Sequence, residues 1–248
     1  MSRLTDKVAV ITGGGQGLGA ATATLFASEG SQVVVADIDL ETAEQTVKQI
    51  HSQGGTALAI KVDITVAQDA QRLISDTVRQ FGRVDVLVNN AGIASLGTVV
   101  DLPEDDWDRV MAVNVKGAFL CSRFAVSQMQ QQGGGSIVCV ASASGVIGQQ
   151  NQIAYNASKH AVIGLVRCMA LDHAADNIRV NAICPGVINT PMLGTLSSDK
   201  LEQLRGMHAM ARLAKPSEIA QAILHLASDE ASFTTGSAYL ADGGITAM

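Results

Sequence analysis

The stretch VAVITGGGQGLGAATATLF, Val8 to Phe26, decides how the rest of the chain is read. Its first four residues are apolar and mostly β-branched, the composition of a short buried strand. They run into a glycine turn, TGGGQGLG from Thr12 to Gly19, and then into an Ala-rich segment with helical spacing. A strand, a tight turn and a helix in that order open a βαβ unit. Glycines at such a turn let the backbone approach a pyrophosphate, and the helix that follows offers free N–H groups and the positive end of its dipole. Two registers fit. Gly15, Gly17 and Ala20 satisfy G-x-G-x-x-G/A, whereas Gly13, Gly17 and Gly19 satisfy a wider G-x-x-x-G-x-G. A tight turn that binds nothing would have the same composition.

The alternation continues along the 248 residues. Short apolar runs recur at 33–36, 57–62, 86–88, 136–140, 180–184 and 238–241, and segments of helical spacing lie at 17–29, 40–53, 67–81, 105–131, 155–175 and 216–228. Strands without clean polar–apolar alternation are buried on both faces. About seven of them, separated by helices, predict an α/β chain folded as one domain over residues 1–248: a Rossmann-type, doubly wound parallel sheet with helices on both faces. No linker, repeat or low-complexity tract interrupts the pattern.

Hydrophobic residues make up 47% of the chain and aromatics only 3%, so the core is built from Val, Ile, Leu and Ala. A net charge of -6 provides no basic footprint, which argues against a nucleic-acid partner. Cys121, Cys139, Cys168 and Cys184 show no CxxC spacing and lie in apolar neighbourhoods, predicting buried free thiols rather than disulfides or a metal site. The N-terminus MSRLTDKVAVITGG lacks the apolar region of a secretory signal, and no later run approaches a membrane-spanning length. The expectation is a soluble cytoplasmic protein without membrane partners.

Two features carry chemistry. The second apolar run ends in Asp37, 18 residues after Gly19; a carboxylate there can accept hydrogen bonds from ribose hydroxyls and repels a 2′-phosphate, which points to NAD rather than NADP. An ordinary loop aspartate is the alternative. The second feature is YNASK, Tyr155 to Lys159, at the start of a helical segment. Residues four apart share a helix face, so the Lys159 ammonium can approach the Tyr155 phenol and is expected to pull it below its ordinary pKa of about 10. A surface tyrosine beside a solvated lysine is the plainer reading.

Together with NNAG at 89–92, Asn114 in MAVNVKGAF, the serine after SIVCV and PGVINT at 185–190, these motifs resemble the short-chain dehydrogenase/reductase family over essentially the whole chain. The resemblance implies a catalytic set of Ser142, Tyr155, Lys159 and Asn114. The family's serine stands 13 residues before the tyrosine, which selects Ser142 over Ser144. It further implies that NAD is held by Gly13, Gln16, Gly17, Leu18, Gly19, Asp37, Asp63, Ile64, Asn90, Tyr155, Lys159, Ile188 and Thr190. Asp63 and the Ile64 backbone would meet the adenine, and Ile188 and Thr190 the nicotinamide carboxamide. Tyr155 would be the acid/base, Ser142 would hold the substrate oxygen, and Asn114 would order a relay water, although a buried Asn that only braces its helix fits Asn114 as well.

The resemblance also implies an enzyme that interconverts a small-molecule secondary alcohol and its ketone. The competing readings are a 3-ketoacyl-[acyl-carrier-protein] reductase and an NAD(H)-binding protein without chemistry. Reductases of the first kind present arginines to the acidic carrier where this chain has Gly133 and Asp176. The segments expected to border the substrate are 143–154, where Gln149, Gln150 and Asn151 could bind a second hydroxyl, and 192–213. In the latter, Met192, Leu193, Leu196, Met207 and Met210 suggest an apolar lid over a neutral, hydrophobic or cyclic substrate; an amphipathic helix facing the core is the alternative. His208, with no second ligand at metal spacing, reads as a lid surface residue. The helices at 105–131 and 155–175 look apolar over wide arcs, and family members pair through them, so a homotetramer is expected.

Overall fold

The computed structural model describes residues 2–190, 193 and 197–247. Seven strands form one parallel sheet: β1 (Val8–Thr12), β2 (Gln32–Asp37), β3 (Thr56–Lys61), β4 (Val86–Asn89), β5 (Gly135–Val140), β6 (Ile178–Pro185) and β7 (Ala238–Ala241), in the order β3-β2-β1-β4-β5-β6-β7. Neighbours in a strand face opposite sides of the sheet, and here both sides are buried. Val10 and Val34 enter one core with residues of helices α3 (Ala67–Phe81), α5 (Ala118–Gln132) and α6 (Ile153–His173). Ala9, Ile11, Val33 and Val35 enter the other, against α1 (Gly17–Ser28), α2 (Leu40–Ser52) and α8 (Pro216–Ala227). Two buried faces explain why the strand sequences read as continuous apolar runs.

The chain winds outward from β1 to β3, then crosses back to place β4 on the other side of β1. Between the carboxyl ends of β1 and β4 the winding reverses, which opens a crevice where ligands of such sheets bind.

The helix predicted over 105–131 runs continuously from Glu104 to Gln132, but α4 (Glu104–Met111) and α5 are joined by a π-helical segment, Ala112–Gly117, that contains Asn114. By length and composition this 29-residue helix is apolar enough to cross a bilayer, contrary to the sequence reading; half of its most apolar window is buried inside the molecule, as in a core helix. Cys121, Cys139 and Cys184 are buried, and burial pushes their thiols up to about 12, 11 and 11. Cys168 is exposed instead, because it lies on the outward stripe of α6 with Gly164 and Leu171.

One cation fastens the far edge of the sheet. Arg179 in β6 donates to the carbonyls of Leu226 (2.8 Å), Ala227 (3.3 Å) and Ser228 (2.9 Å) at the end of α8, and to Thr234 (3.4 Å) before β7. Helix ends leave carbonyls without partners, and a cation there also complements the dipole. Arg179→Met leaves these acceptors unsatisfied and is expected to lower stability by about 2 kcal/mol, read as a reduced urea midpoint with unchanged cofactor preference.

Candidate active site

The glycine turn leads from β1 into α1 at the crevice. Gln16 is the N-cap but makes no side-chain cap bond, and no acid occupies the first turn. The N–H groups of Gly17, Leu18 and Gly19 therefore lack intrahelical partners at the positive end of the dipole. A Cβ on Gly19 would lie 2.0 Å from the Gly13 carbonyl oxygen, so only glycine fits. That crowding, with left-handed backbone at Gly13 and Gly17, favours the wider register. The Leu18 side chain is in the core, which leaves only its backbone for a ligand, while the Gln16 side chain is exposed.

Three other expected residues, Asp37, Asn90 and Thr190, stand against this turn. Asp37 ends β2, and its Oδ2 accepts from Gly15 N–H at 2.9 Å, so the carboxylate stands at the rim of the loop. Asn90, just past β4, donates through Nδ2 to the carbonyls of Thr12 (2.9 Å) and Gly13 (3.0 Å), bracing the turn from behind. Asp63, after β3, holds Thr65 N–H and its hydroxyl at 2.9 and 2.7 Å, and the Ile64 side chain is buried beside it. Thr190 approaches Gly17, with its methyl 3.5 Å from where a Cβ would stand. Gly loop, free helix terminus and rim carboxylate form a set that fits a dinucleotide.

Deeper in the crevice is a cavity of about 150 Å³ lined by Asn90, Gly92, Ile93, Ala94, Val140, Ala141, Ser142, Tyr155, Lys159, Pro185, Gly186 and Ile188. Tyr155 and Lys159 stand one turn apart on α6, and Ser142 follows β5. Lys159 is 4% exposed; its Nζ donates to the Val140 carbonyl at 2.7 Å and lies 5.5 Å from the Tyr155 ring centre. Burial lowers the ammonium from 10.5 to about 8. The expected fall of the Tyr155 phenol is not found. Burial pushes it up, and the hydrogen bond with Ser142 only partly opposes this. The first cause is the burial of the phenol itself, and the ammonium beside its ring is bound to the Val140 carbonyl.

Asn114 does not line the cavity, because its amide is spent on bracing. Oδ1 accepts from Ile93 N–H at 2.8 Å, while Nδ2 donates to the Ile93 carbonyl and to Ser158 Oγ, both at 2.9 Å. Ser158 in turn donates to the Tyr155 carbonyl at 2.8 Å. Asn114 thus joins the π-helical segment, the cavity wall and the start of α6. Gly92 lies between Asn114 Oδ1 and Lys159 Nζ: a Cβ there would come within 3.3 and 3.4 Å of them. Gly92, Ile93 and the Val140 carbonyl are cavity residues that sequence reasoning missed. Only the first carried a signal, as the last residue of NNAG.

Other expectations about the pocket change. Ser142 caps the turn after β5, its Oγ accepting from Ser144 N–H at 3.1 Å, and Ser144 Oγ donates to Gln149 Oε1 at 2.7 Å. Gln149 and Asn151 line a separate, open groove of about 430 Å³ that shares no lining residue with the cavity. Met192 and Leu196 lie outside the described residues. Helix α7 (Ser198–Gly206) has no fully buried residue, and its Leu201 and Leu204 are half-buried. His208 is buried rather than on a surface. Among the described residues no group of three His, Cys, Asp or Glu could hold a metal ion.

Comparison with known proteins agrees with this fold. The family model described as Enoyl-(Acyl carrier protein) reductase matches residues 13–246. The chain is 42% identical to the 3-oxoacyl-[acyl-carrier-protein] reductase FabG of Thermotoga maritima, over 98% of this chain and 99% of that one. It is 40% identical to a cyclopentanol dehydrogenase of a Comamonas species, over the full length of both. A short-chain type dehydrogenase/reductase from Mycobacterium marinum superposes with a TM-score of 0.95 at 35% identity, covering 99% of this chain and 97% of its own. Members of this family are oxidoreductases that generally use NAD(P). With the parallel sheet, the glycine turn and the whole-length similarity in agreement, the chain belongs to the short-chain dehydrogenase/reductase family.

Proposed function

We propose that the protein is an NAD-dependent oxidoreductase that interconverts a neutral, hydrophobic or cyclic secondary alcohol and its ketone, with Tyr155 as acid/base. The observation that carries this reading is the meeting of Ser142, Tyr155 and Lys159 in one small cavity with Asn90 and Ile188. Residues Gly13 to Gly19 would hold the pyrophosphate and Asp37 the adenosine ribose. Asp63, Ile64 and Asn90 would border the adenosine, Tyr155 and Lys159 the second ribose, and Ile188 and Thr190 the carboxamide. When bound, NAD supplies the hydride acceptor.

The chain's own residues handle placement and protons. Ser142 Oγ holds the substrate oxygen, and the Tyr155 hydroxyl exchanges a proton with it. Lys159, with its ionisation near 8, can pass a proton onward close to neutral pH. Asn114 acts through Ile93 and Ser158 by fixing the cavity wall and the tyrosine's helix. Apart from Lys159 the cavity lining carries no ionisable group but Tyr155, which suits a neutral substrate, and the cyclopentanol dehydrogenase relative makes ring alcohols the first to try.

The FabG relative favours a second reading, reduction of an acyl-carrier ketone. Asp176 counts against it. The hydrogen bond from Gln130 and a second from His173 hold its carboxyl below the ordinary range, so a negative charge stands where an acidic carrier would dock. For assembly we propose a homotetramer that pairs through the Glu104–Gln132 helix and α6, on which Phe119 is 45% and Leu171 83% exposed. A soluble cytoplasmic enzyme with no nucleic-acid or membrane partner completes the reading.

Reduction of NAD and of NADP with cyclic and linear secondary alcohols, followed at the nicotinamide absorbance, tests the reaction. NAD should be preferred, Tyr155→Phe should lose about a thousandfold in rate, and Asp37→Ser should narrow the NAD preference by about tenfold or more. Reduction of ketoacyl thioesters with NADPH and no alcohol turnover would replace this reading with the second.

The buried ammonium makes a separate prediction. Folding holds Lys159 near 8 against 10.5 in the open chain, so the folded state binds fewer protons between those values and its stability rises with pH there. The penalty below pH 8 is on the order of 3 kcal/mol. In the cofactor-free protein Lys159→Met should therefore raise the melting temperature at pH 7 and flatten the stability rise above pH 8, while abolishing turnover; a lower melting temperature would refute it. Light scattering should return four times the 25.7 kDa chain mass, and a monomer mass would remove the assembly proposal.

A further inference from the structure

His208 is a buried titratable side chain that the proton path does not use. Its Nδ1 is 2.9 Å from the Leu204 carbonyl near the end of α7. A carbonyl can only accept, so Nδ1 carries the proton. The other nitrogen, Nε2, is then an acceptor, and it receives Val187 N–H at 3.0 Å. The ring also fills the space beside two glycines: a Cβ on Gly186 would lie 2.6 Å from Nε2, and one on Gly243 3.3 Å from the ring carbon Cδ2. One imidazole thus touches the end of α7, the segment after β6 and the C-terminal turn.

Val187 belongs to the stretch that borders the cavity. Its carbonyl accepts from Ala214 N–H at 3.0 Å, and Asn189 N–H donates to the Ala214 carbonyl at 2.9 Å. That pairing is a parallel bridge between Ile188 and Ala214, in which Ile188 spends neither its N–H nor its C=O on Ala214. Ile188 lines the cavity beside Tyr155 and Lys159. The bond from Val187 to His208 therefore helps set the path of the backbone on which Ile188 is presented.

We propose that His208 is a positioning residue for the nicotinamide end of the cofactor: by holding Val187 it presets the Gly186–Thr190 segment, and by holding Leu204 it makes α7 and that segment one body. The inference rests on the NAD site proposed above. A preset segment binds with less ordering cost than one that must be fixed on binding. Glutamine supplies one donor and one acceptor and can replace both bonds, whereas leucine replaces neither.

The test is NADH binding by nicotinamide fluorescence to the wild type, His208→Leu and His208→Gln, with melting curves on each. His208→Leu should bind about tenfold more weakly, the equivalent of one hydrogen bond's worth of preorganisation, and its KM for NAD should rise by more than its kcat falls. His208→Gln should recover most of that loss. A His208→Leu protein that melts lower yet binds NADH as tightly as the wild type would overturn the inference and leave the NAD site standing; a wild type that binds neither NADH nor NADPH would overturn the NAD site and the inference with it. Should His208→Leu not fold, amide exchange in the cofactor-free wild type decides. The Val187 amide should exchange within about tenfold of Ile183 in β6, and exchange at the rate of an open loop would refute a preset segment.

Discussion

A lysine ammonium taken out of water must find an oxygen, and Lys159 finds the carbonyl of Val140 at 2.7 Å. Much of the site depends on that bond. Val140 is the last residue of β5, so the bond pins α6 to the carboxyl edge of the sheet. Tyr155 stands one turn earlier on the same helix, and Ser142 follows Val140 by two residues; fixing one lysine therefore brings the phenol and the serine hydroxyl together. The arrangement costs stability, since burial holds the ammonium near 8. Burial raises the phenol at the same time. The two ionisations are thus pushed apart, the ammonium down and the phenol up, and such a split between neighbouring groups marks an acid/base site.

The rest of the architecture supplies rigidity around this pair. Both faces of the sheet are covered, so the strand ends that carry the glycine turn, Asn90, Ser142 and Gly186 cannot shift independently. Asn114 adds a cross-brace. It sits in a π-helical segment, a local irregularity that often accompanies functional sites, and it spends its whole amide on Ile93 and Ser158. In this geometry its side chain is the strut between the cavity wall and the tyrosine's helix.

On the other wall the chain relies on backbone rather than side-chain polarity. The Gly186–Thr190 segment is held by Ala214 on one edge and His208 on the other, with Thr190 against the glycine turn. Residues distant along the chain, from Asn90 to Ile188, thereby meet around one small cavity.

The amino-acid sequence by itself determined the order of strands and helices and the glycine turn. It also identified Asp37 at the end of β2 and the one-turn spacing of Tyr155 and Lys159. These are local: they depend on runs of β-branched residues, on 3.6-residue periodicity and on where glycine must stand. Tertiary structure alone decided the sense of the phenol's shift, because that depends on how much protein surrounds Tyr155 and on which oxygen Lys159 reaches. It alone turned His208 from a surface residue into a buried tie, through Val187 and Gly243, which no spacing rule links to it. It exposed Cys168 and buried Cys121, Cys139 and Cys184, although all four lie in apolar stretches, and it turned Gln149 away from the cavity toward Ser144. Periodicity says which face of an element is apolar; what that face meets depends on contacts between residues far apart in the chain.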